Sequence, residues 1–257
     1  MLSKRLIACL DIRNGNLAKS IKFVDTKEIG DPVEAAREYY LGGADELVFY
    51  DINASFENRG ILIDTVNKVA DKVFIPFSVG GGLKTLDDCV NVILAGAEKI
   101  HLNSNAVKNP GLIGQVAERF GSQCVILSTD VLRVPRGGSI PSGFEIVING
   151  GRTHTGLDAI AWIKKGVALG AGEVVVNAID ADGTKDGYDI ELTRLVADGV
   201  DVPVVASGGA GSPEHVRRVL TEGGADAALV SSIIHYKNYS PGEIKKYLAD
   251  NGIKVRL

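Results

Sequence analysis

The sequence predicts an α/β protein folded as one (β/α)8 barrel domain over residues 1–257, a TIM barrel with half-barrel internal duplication. Three observations carry this prediction. Short apolar runs alternate with amphipathic segments along the chain, the length is close to the ~250 residues of one such barrel, and the second half of the chain repeats the first. The apolar runs cover residues 6–10, 47–50, 73–79, 100–102, 124–127, 174–176, 202–206 and 227–230. They lack strict polar alternation, as parallel strands covered on both faces do.

Between the runs lie helical patterns such as 32–41, 58–70, 84–94 and 157–169. Asp31-Pro32 reads as an N-cap followed by proline at the first helical position. The repeat decides between a closed barrel and an open doubly wound sheet. Gly42-Gly43-Ala44-Asp45-Glu46 recurs as Leu169-Gly170-Ala171-Gly172-Glu173, Phe77-Ser78-Val79-Gly80-Gly81-Gly82 as Val205-Ala206-Ser207-Gly208-Gly209-Ala210, and Ala95-Gly96-Ala97-Glu98 as Gly223-Gly224-Ala225-Asp226, each 127 or 128 residues later. Two halves of four βα units close into eight strands with near two-fold symmetry, which an open sheet gives no reason for. Two segments interrupt the regular spacing. Residues 12–30 read as a long connection with Gly15, Lys19 and Lys22, a mobile basic lid over an anionic substrate, and residues 133–153 read as a β-hairpin inserted at the barrel mouth.

Hydrophobic residues at 45% and charged residues at 23% are ordinary for a globular chain, and a chain of this size needs no disulfide or metal staple. A net charge of -4 with both signs interspersed argues against a nucleic-acid partner. Cys9, Cys89 and Cys124 are odd in number and far apart, with no C-x-x-C pair. They read as reduced and buried, which implies a cytoplasmic protein. No apolar run approaches the ~20 residues of a membrane span.

Active sites of such barrels form at the C-terminal ends of the strands. Asp11 ends the first run and Asp130 the fifth, equivalent strands of the two halves, so the carboxylates should oppose each other. There they can serve as general acid and base, although either one taken singly could be a helix cap or an ion-pair partner. The glycine turns around Gly81, Gly82 and around Ser207, Gly208, Gly209 repeat, as do the strand ends Asn103-Ser104 and Ser231-Ser232. Unobstructed backbone N–H groups with hydroxyl and amide donors beside them can cradle phosphate oxygens, so two facing phosphate sites are expected. Tight turns alone are the plainer alternative. Asp51, Asn53, Asn177, Asp180 and Asp182 are further polar strand ends, and Asp182-Gly183-Thr184 fits either a turn or a hydroxyl-binding loop. His101 and Trp162 read as packing residues and Asp87-Asp88 as a solvated helix face. His101, His154, His215 and His235 have no metal-ligand spacing, so neither a metal nor a cofactor is expected.

These residues resemble the HisF family, the cyclase subunits of imidazole glycerol phosphate synthase, over nearly the whole chain. The motifs are Cys9-Leu10-Asp11, Gly30-Asp31-Pro32-Val33-Glu34, Asp45-Glu46-Leu47-Val48-Phe49, Val79-Gly80-Gly81-Gly82, Phe120-Gly121-Ser122-Gln123, Asp182-Gly183-Thr184 and Ala206-Ser207-Gly208-Gly209-Ala210-Gly211. The resemblance implies a lyase of histidine biosynthesis that combines ammonia from a HisH-like glutaminase, bound as a heterodimer, with the bisphosphate PRFAR to give imidazole glycerol phosphate and AICAR. It assigns acid/base work to Asp11 and Asp130, phosphate contacts to Gly82, Asn103, Ser104, Gly209 and Ser232, and the loop lysine to Lys19. Ammonia admission at the opposite face falls to Arg5, Glu46, Lys99 and Glu173. Four charges beginning barrel strands are costly unless paired, so a purely structural ion ring is the alternative.

The chain departs from the family pattern at the mouth, in Lys19-Ser20-Ile21-Lys22-Phe23, in Asn177-Ala178-Ile179-Asp180-Ala181 where Thr-Ser and an arginine are expected, and in a longer hairpin after the fifth strand. Those departures keep open a paralogue that channels ammonia for amidination of a surface-polysaccharide sugar, though some such paralogues lose the first aspartate. A third reading, the sister isomerase of the same pathway, needs no glutaminase and so no ring of charges.

Overall fold

The computed structural model describes residues 2–21, 24–52 and 63–257. The chain opens with β1 (Arg5–Arg13), β2 (Asn16–Ile21) and β3 (Val24–Gly30), then α1 (Pro32–Leu41), β4 (Glu46–Asp51), α2 (Ile63–Ala70), β5 (Phe77–Gly80), α3 (Leu86–Leu94), β6 (Lys99–Leu102), α4 (Ser104–Lys108) and α5 (Gly111–Phe120). The second half follows with β7 (Val125–Arg133), β8 (Phe144–Ile148), β9 (Thr153–Asp158), α6 (Ala159–Ala168), β10 (Glu173–Ala178), α7 (Ile190–Ala197), β11 (Val204–Ser207), α8 (Pro213–Thr221), β12 (Ala227–Val230), α9 (Ser232–His235) and α10 (Pro241–Asp250).

Eight strands pair in parallel in the order β1-β4-β5-β6-β7-β10-β11-β12, and β12 returns to β1, so the sheet closes. Alternate residues point inward. Ile7, Cys9, Val48, Ile126, Val175, Val205, Ala227 and Leu229 fill the interior. The opposite strand faces, with Leu6, Leu10, Leu47, Ile100 and Leu127, pack under the helices. Asp31 caps α1 as its sequence implies, accepting from the Val33 and Glu34 N–H groups at 2.8 and 3.0 Å. Among the described residues no helix is long and apolar enough to cross a membrane.

Several expectations need correction. The described residues of the 12–30 segment are not an open loop: β1 runs on past Asp11 to Arg13, turns at Asn14 and Gly15 (φ 52° and 83°), and returns as β2, which pairs with β3. Positive φ at both turn residues is the geometry that matches strand twist in a two-residue hairpin. The third and seventh barrel strands start later than residues 73 and 202, each just after a proline, Pro76 or Pro203, whose missing N–H delays the ladder. Cys124 is half-buried in a 3-10 turn, not part of a strand, while Cys9 and Cys89 are buried. Asp88 is a cap: its carboxylate accepts from the Thr85 and Lys84 N–H groups, both at 2.9 Å. The helix expected from 157 begins at Ala159, because Asp158 ends β9 and caps α6. The expected hairpin over 133–153 is the antiparallel run β7-β8-β9. Trp162 is buried as packing. Lys22, Asn53 and residues 58–62 of the expected helix lie outside the described residues.

The repeated turn before β10 tests how closely helix and strand approach. A Cβ on Gly172 would run into the Ser122 carbonyl, a clash only a backbone shift relieves. Gly172→Ala should therefore lower stability by roughly 1–3 kcal/mol, read as a lower urea midpoint with an unchanged m-value.

Candidate active site

At the C-terminal ends of the barrel strands one open cavity gathers Asp11, Lys19, Gly81, Gly82, Asn103, Ser104, Asp130, Asp182, Gly183, Ser207, Gly208, Gly209, Ser231 and Ser232, all named from the sequence. Asp11 and Asp130 lie within β1 and β7, not at their ends, because both strands continue into hairpins. Asp130 is buried and each of its carboxylate oxygens meets an amide. Asn177 Nδ2 donates to Oδ1 at 3.1 Å and Asn103 Nδ2 to Oδ2 at 2.9 Å. Burial raises the Asp130 pKa, the two amides pull it back, and Asp11 adds to the rise.

Asp11 has a cationic partner instead. Lys19 on β2 is buried, with Nζ 3.4 Å from Asp11 and 4.0 Å from Asp182. Burial works against its charge, but Asp11 and Asp182 outweigh that and hold its pKa above the ordinary lysine value. Asp182 is itself shifted upward by burial, with Lys19 opposing and Asp11 and Asp130 reinforcing the shift. The lysine expected on a lid over an anionic substrate is thus folded in beside two carboxylates.

The glycine turns follow β5 and β11 and face the same cavity. Gly81 and Gly209 have φ of 98° and 101°, and a Cβ on either would strike a carbonyl, that of Asp51 or of Gly187. Only glycine fits these equivalent positions. The flanking polar groups are less alike. Ser104 Oγ accepts from the Asn149 N–H at 3.0 Å, whereas Ser207 donates its hydroxyl to Asn177 Oδ1 at 3.0 Å. Asn103 Oδ1 and Ser231 Oγ are buried and have no hydrogen-bond partner among the described residues.

Residues not nominated from the sequence also line the cavity, among them Tyr50, Ser128, Asn149 and Arg152. His101 is buried as expected of a packing residue, yet it is part of the cavity floor: Nδ1 lies 2.9 Å from the Tyr50 hydroxyl and Nε2 2.8 Å from Ser78 Oγ. Burial pulls its pKa down to about 3, so the ring is neutral. Carrying the two-residue alternation of each inward face one step back from Asn103 and Asp130 points to His101 and Ser128. Arg152 and Asn149 arrive on the β8–β9 turn, which alternation does not reach. Asp51 lines the cavity, while Asp180 turns away to accept from the Arg133 N–H at 2.8 Å. Among the described residues no three His, Cys, Asp or Glu side chains gather as a metal site.

At the other end of the barrel Arg5, Glu46, Lys99 and Glu173 begin β1, β4, β6 and β10 and close a ring of alternating charge. Arg5 Nη1 is 2.7 Å from Glu46, its Nη2 pairs with Glu173, and Lys99 Nζ is 3.3 Å from Glu46 and 2.8 Å from Glu173. Burial opposes the Arg5 charge, but Glu173 and Glu46 together keep its pKa above the ordinary arginine value.

A family model described as histidine biosynthesis protein matches residues 5–240. The chain is 61% identical over 256 residues to a protein of Desulforapulum autotrophicum named imidazole glycerol phosphate synthase subunit HisF, covering 100% of this chain and 99% of that protein. Proteins of the same name from Desulfovibrio desulfuricans and Desulfosudis oleivorans are 60% and 58% identical over 257 residues, with the same coverage.

The ring supplies a stability test. Glu173→Gln keeps the side-chain shape but leaves two cations around Glu46 alone. Breaking a buried pair this way typically costs ~3–5 kcal/mol. With the Arg5 and Lys99 side chains 18% and 21% exposed, a loss of roughly 2–4 kcal/mol is expected in urea unfolding.

Proposed function

The chain belongs to the histidine biosynthesis protein family, and we propose that it is the cyclase subunit, a lyase, that turns PRFAR and ammonia into imidazole glycerol phosphate and AICAR. The observation that carries this reading is the placement of Asp11 and Asp130, on equivalent strands of the two halves, in one cavity between two equivalent glycine turns. Each turn offers backbone N–H groups to one phosphate of an elongated substrate, aided by Asn103 and Ser104 on one side and by Ser231 and Ser232 on the other. Ser231 Oγ, buried without a partner, gains an acceptor when a phosphate arrives. Asp182 and Gly183 border the second site.

Closing an imidazole ring on an incoming nitrogen requires protons to leave that nitrogen and others to reach the departing group. Two carboxylates on opposite sides of the substrate's middle can divide this work. Asp130, with its affinity for protons raised by burial, and Asp11, paired with Lys19, stand in unlike surroundings, as such a division needs. Lys19 serves here to hold the Asp11 side of the site.

The named relatives are subunits, and the partner we assign is a HisH-like glutaminase seated on the ring end of the barrel to form a heterodimer. Leu41, Phe74 and Leu94 are 63%, 77% and 78% exposed on the segments leading into β4, β5 and β6, beside the Glu46 and Lys99 ring positions. A partner there covers apolar surface that water otherwise meets and delivers ammonia to the ring. Unpaired thiols at Cys9, Cys89 and Cys124 suit a reducing cytoplasm. The sugar-amidination alternative is not favoured. Relatives 58–61% identical over their full length carry the synthase name, and Asp11 and Asp130 are both present.

Purified protein given PRFAR and an ammonium salt at alkaline pH should consume the substrate. Asp11→Asn or Asp130→Asn should cut kcat by ~10²–10⁴-fold with substrate binding nearly unchanged, and an active double variant would refute the acid/base assignment. A glutaminase mixed with the protein should gain activity when PRFAR is present; indifference to it would remove the partner assignment.

A further inference from the structure

We propose that Asn177 is a positioning residue for this reaction, fixing the Asp130 carboxylate in one orientation and tying it, through Ser207, to the glycine turn after β11. The inference rests on the reading of Asp130 as an acid/base group.

The backbone register places the three residues side by side. Asn177 on β10 pairs with Asp130 on β7 in one direction and with Ser207 on β11 in the other. All three side chains face the cavity. The hydrogen bonds then determine the orientation of the amide. An ionised carboxylate only accepts, so the Asn177 NH2 group must face Asp130, at 3.1 Å. Its Oδ1 therefore faces Ser207, which donates its hydroxyl at 3.0 Å. Turning the amide over would set its oxygen against the carboxylate, so Asp130 fixes it, and the Ser207 hydroxyl, free to donate or accept, takes the donor role.

Asp130 has a second amide, but that one is not braced. Asn103 reaches the other carboxylate oxygen at 2.9 Å while its own Oδ1 is buried without a partner among the described residues. Of the two arms, Asn177 is the fixed one. It also touches the turn itself: a Cβ on Gly208 would sit 3.2 Å from Asn177 Oδ1 and 2.7 Å from the Ala178 carbonyl. Ser207, with its proton committed to Asn177, is then a brace and not a phosphate donor. A phosphate seated in this turn bears directly on the group that aims Asp130. A hydroxyl at this position would have a single oxygen to serve both neighbours, whereas the amide donates to Asp130 from Nδ2 and accepts from Ser207 at Oδ1.

The charged and titratable groups that line the cavity with Asp130 are Cys9 and Asp11 on β1, Lys19 on β2, Tyr50 and Asp51 on β4, the neutral His101 on β6, Asp182 in the turn after β10, and Arg152 on the β8–β9 turn, whose Nη1 donates to the Asn149 carbonyl at 2.9 Å. None of the carboxylates among them stabilises its ionised form, and Lys19 is committed to Asp11 and Asp182. Removing the Asn177 donor therefore leaves the ionised form of Asp130 less supported, and the Asp130 pKa must rise. Whichever limb of the pH–rate profile reports Asp130 then moves to higher pH.

The test compares Asn177→Asp, Asn177→Ala and Ser207→Ala with the unaltered protein, using PRFAR and ammonium salt across pH. Asn177→Asp keeps the shape but sets a second carboxylate beside Asp130, and Asn177→Ala removes the donor without adding charge, so an effect common to both reports the lost donor. We expect kcat to fall tenfold or more in both Asn177 variants, KM to stay within about twofold, and the Asp130 limb to move up by about one pH unit. Ser207→Ala should shift the limb in the same direction by less. Asn177→Asp or Asn177→Ala with kcat within twofold and an unmoved limb, while Asp130→Asn is inactive, would overturn this inference and leave the reading of Asp130 intact. An active Asp130→Asn would overturn both.

Discussion

The two-residue alternation of a closed parallel sheet governs where every polar group in this barrel can act. Along β1 the inward positions are Arg5, Ile7, Cys9 and Asp11, so one strand supplies a ring charge, two wall residues and a site carboxylate. On β6 they are Lys99, His101 and Asn103; on β10, Glu173, Val175 and Asn177. The pairings Asn177 with Asp130 and Val175 with Ser128 keep these series level between neighbouring strands. A one-residue slip would turn each of them into the helix layer. The ring and the mouth are thus two ends of the same set of strands, and neither can be repositioned without the other.

The interior between them is divided. Ile7, Val175, Val205, Ala227 and Leu229 make one wall apolar, while Tyr50, Ser78, His101 and Ser128 make the other polar. Polar groups buried at this depth must be paired, and here the pairing has a direction. Ser78 donates to the Leu47 carbonyl at 3.3 Å and so accepts from His101 Nε2, which leaves Nδ1 to accept from the Tyr50 hydroxyl. The series ends on a backbone carbonyl, and the neutral ring keeps its one proton on Nε2, facing Ser78. A cationic histidine in this wall would be costly to desolvate, and the Lys99 charge on the same strand opposes it further.

What the chain revealed before its structure was known follows from which signals are local. The strands, the glycine turns and the equivalence of Asp11 with Asp130 were legible because each is written in contiguous residues and written twice. The β1–β2 hairpin was not: Asn14-Gly15 marks a two-residue turn, but the glycine and lysines around it read equally well as a loop. The partner of Lys19 was hidden for the same reason, since folding that segment back along β1 is what brings it to Asp11. Hydroxyl commitments were invisible as well. Ser104 and Ser207 were both expected at the phosphate sites, yet one receives an N–H from the β8–β9 hairpin and the other is spent on Asn177. Cys124 was misplaced because an apolar neighbourhood does not distinguish a strand from the turn that leads into it.

The duplication reaches further than its sequence matches. In each half the first strand runs into an antiparallel hairpin, β2–β3 from β1 and β8–β9 from β7, before the first helix begins. The two hairpins have diverged in what they bring to the mouth. The first delivers a cation to Asp11; the second delivers Asn149 and Arg152 to the rim beside Ser104, and leaves Asp130 to two neutral amides. A frame with near two-fold symmetry by itself would make the two carboxylates alike, with no basis for one to give a proton while the other takes one. The electrostatic difference between them comes from the inserted hairpins, from Asn103, whose counterpart in the repeat is Ser231, and from Asn177. Symmetry accounts for where the carboxylates stand and for the two turns that flank them. Departures from symmetry account for their being able to do different chemistry.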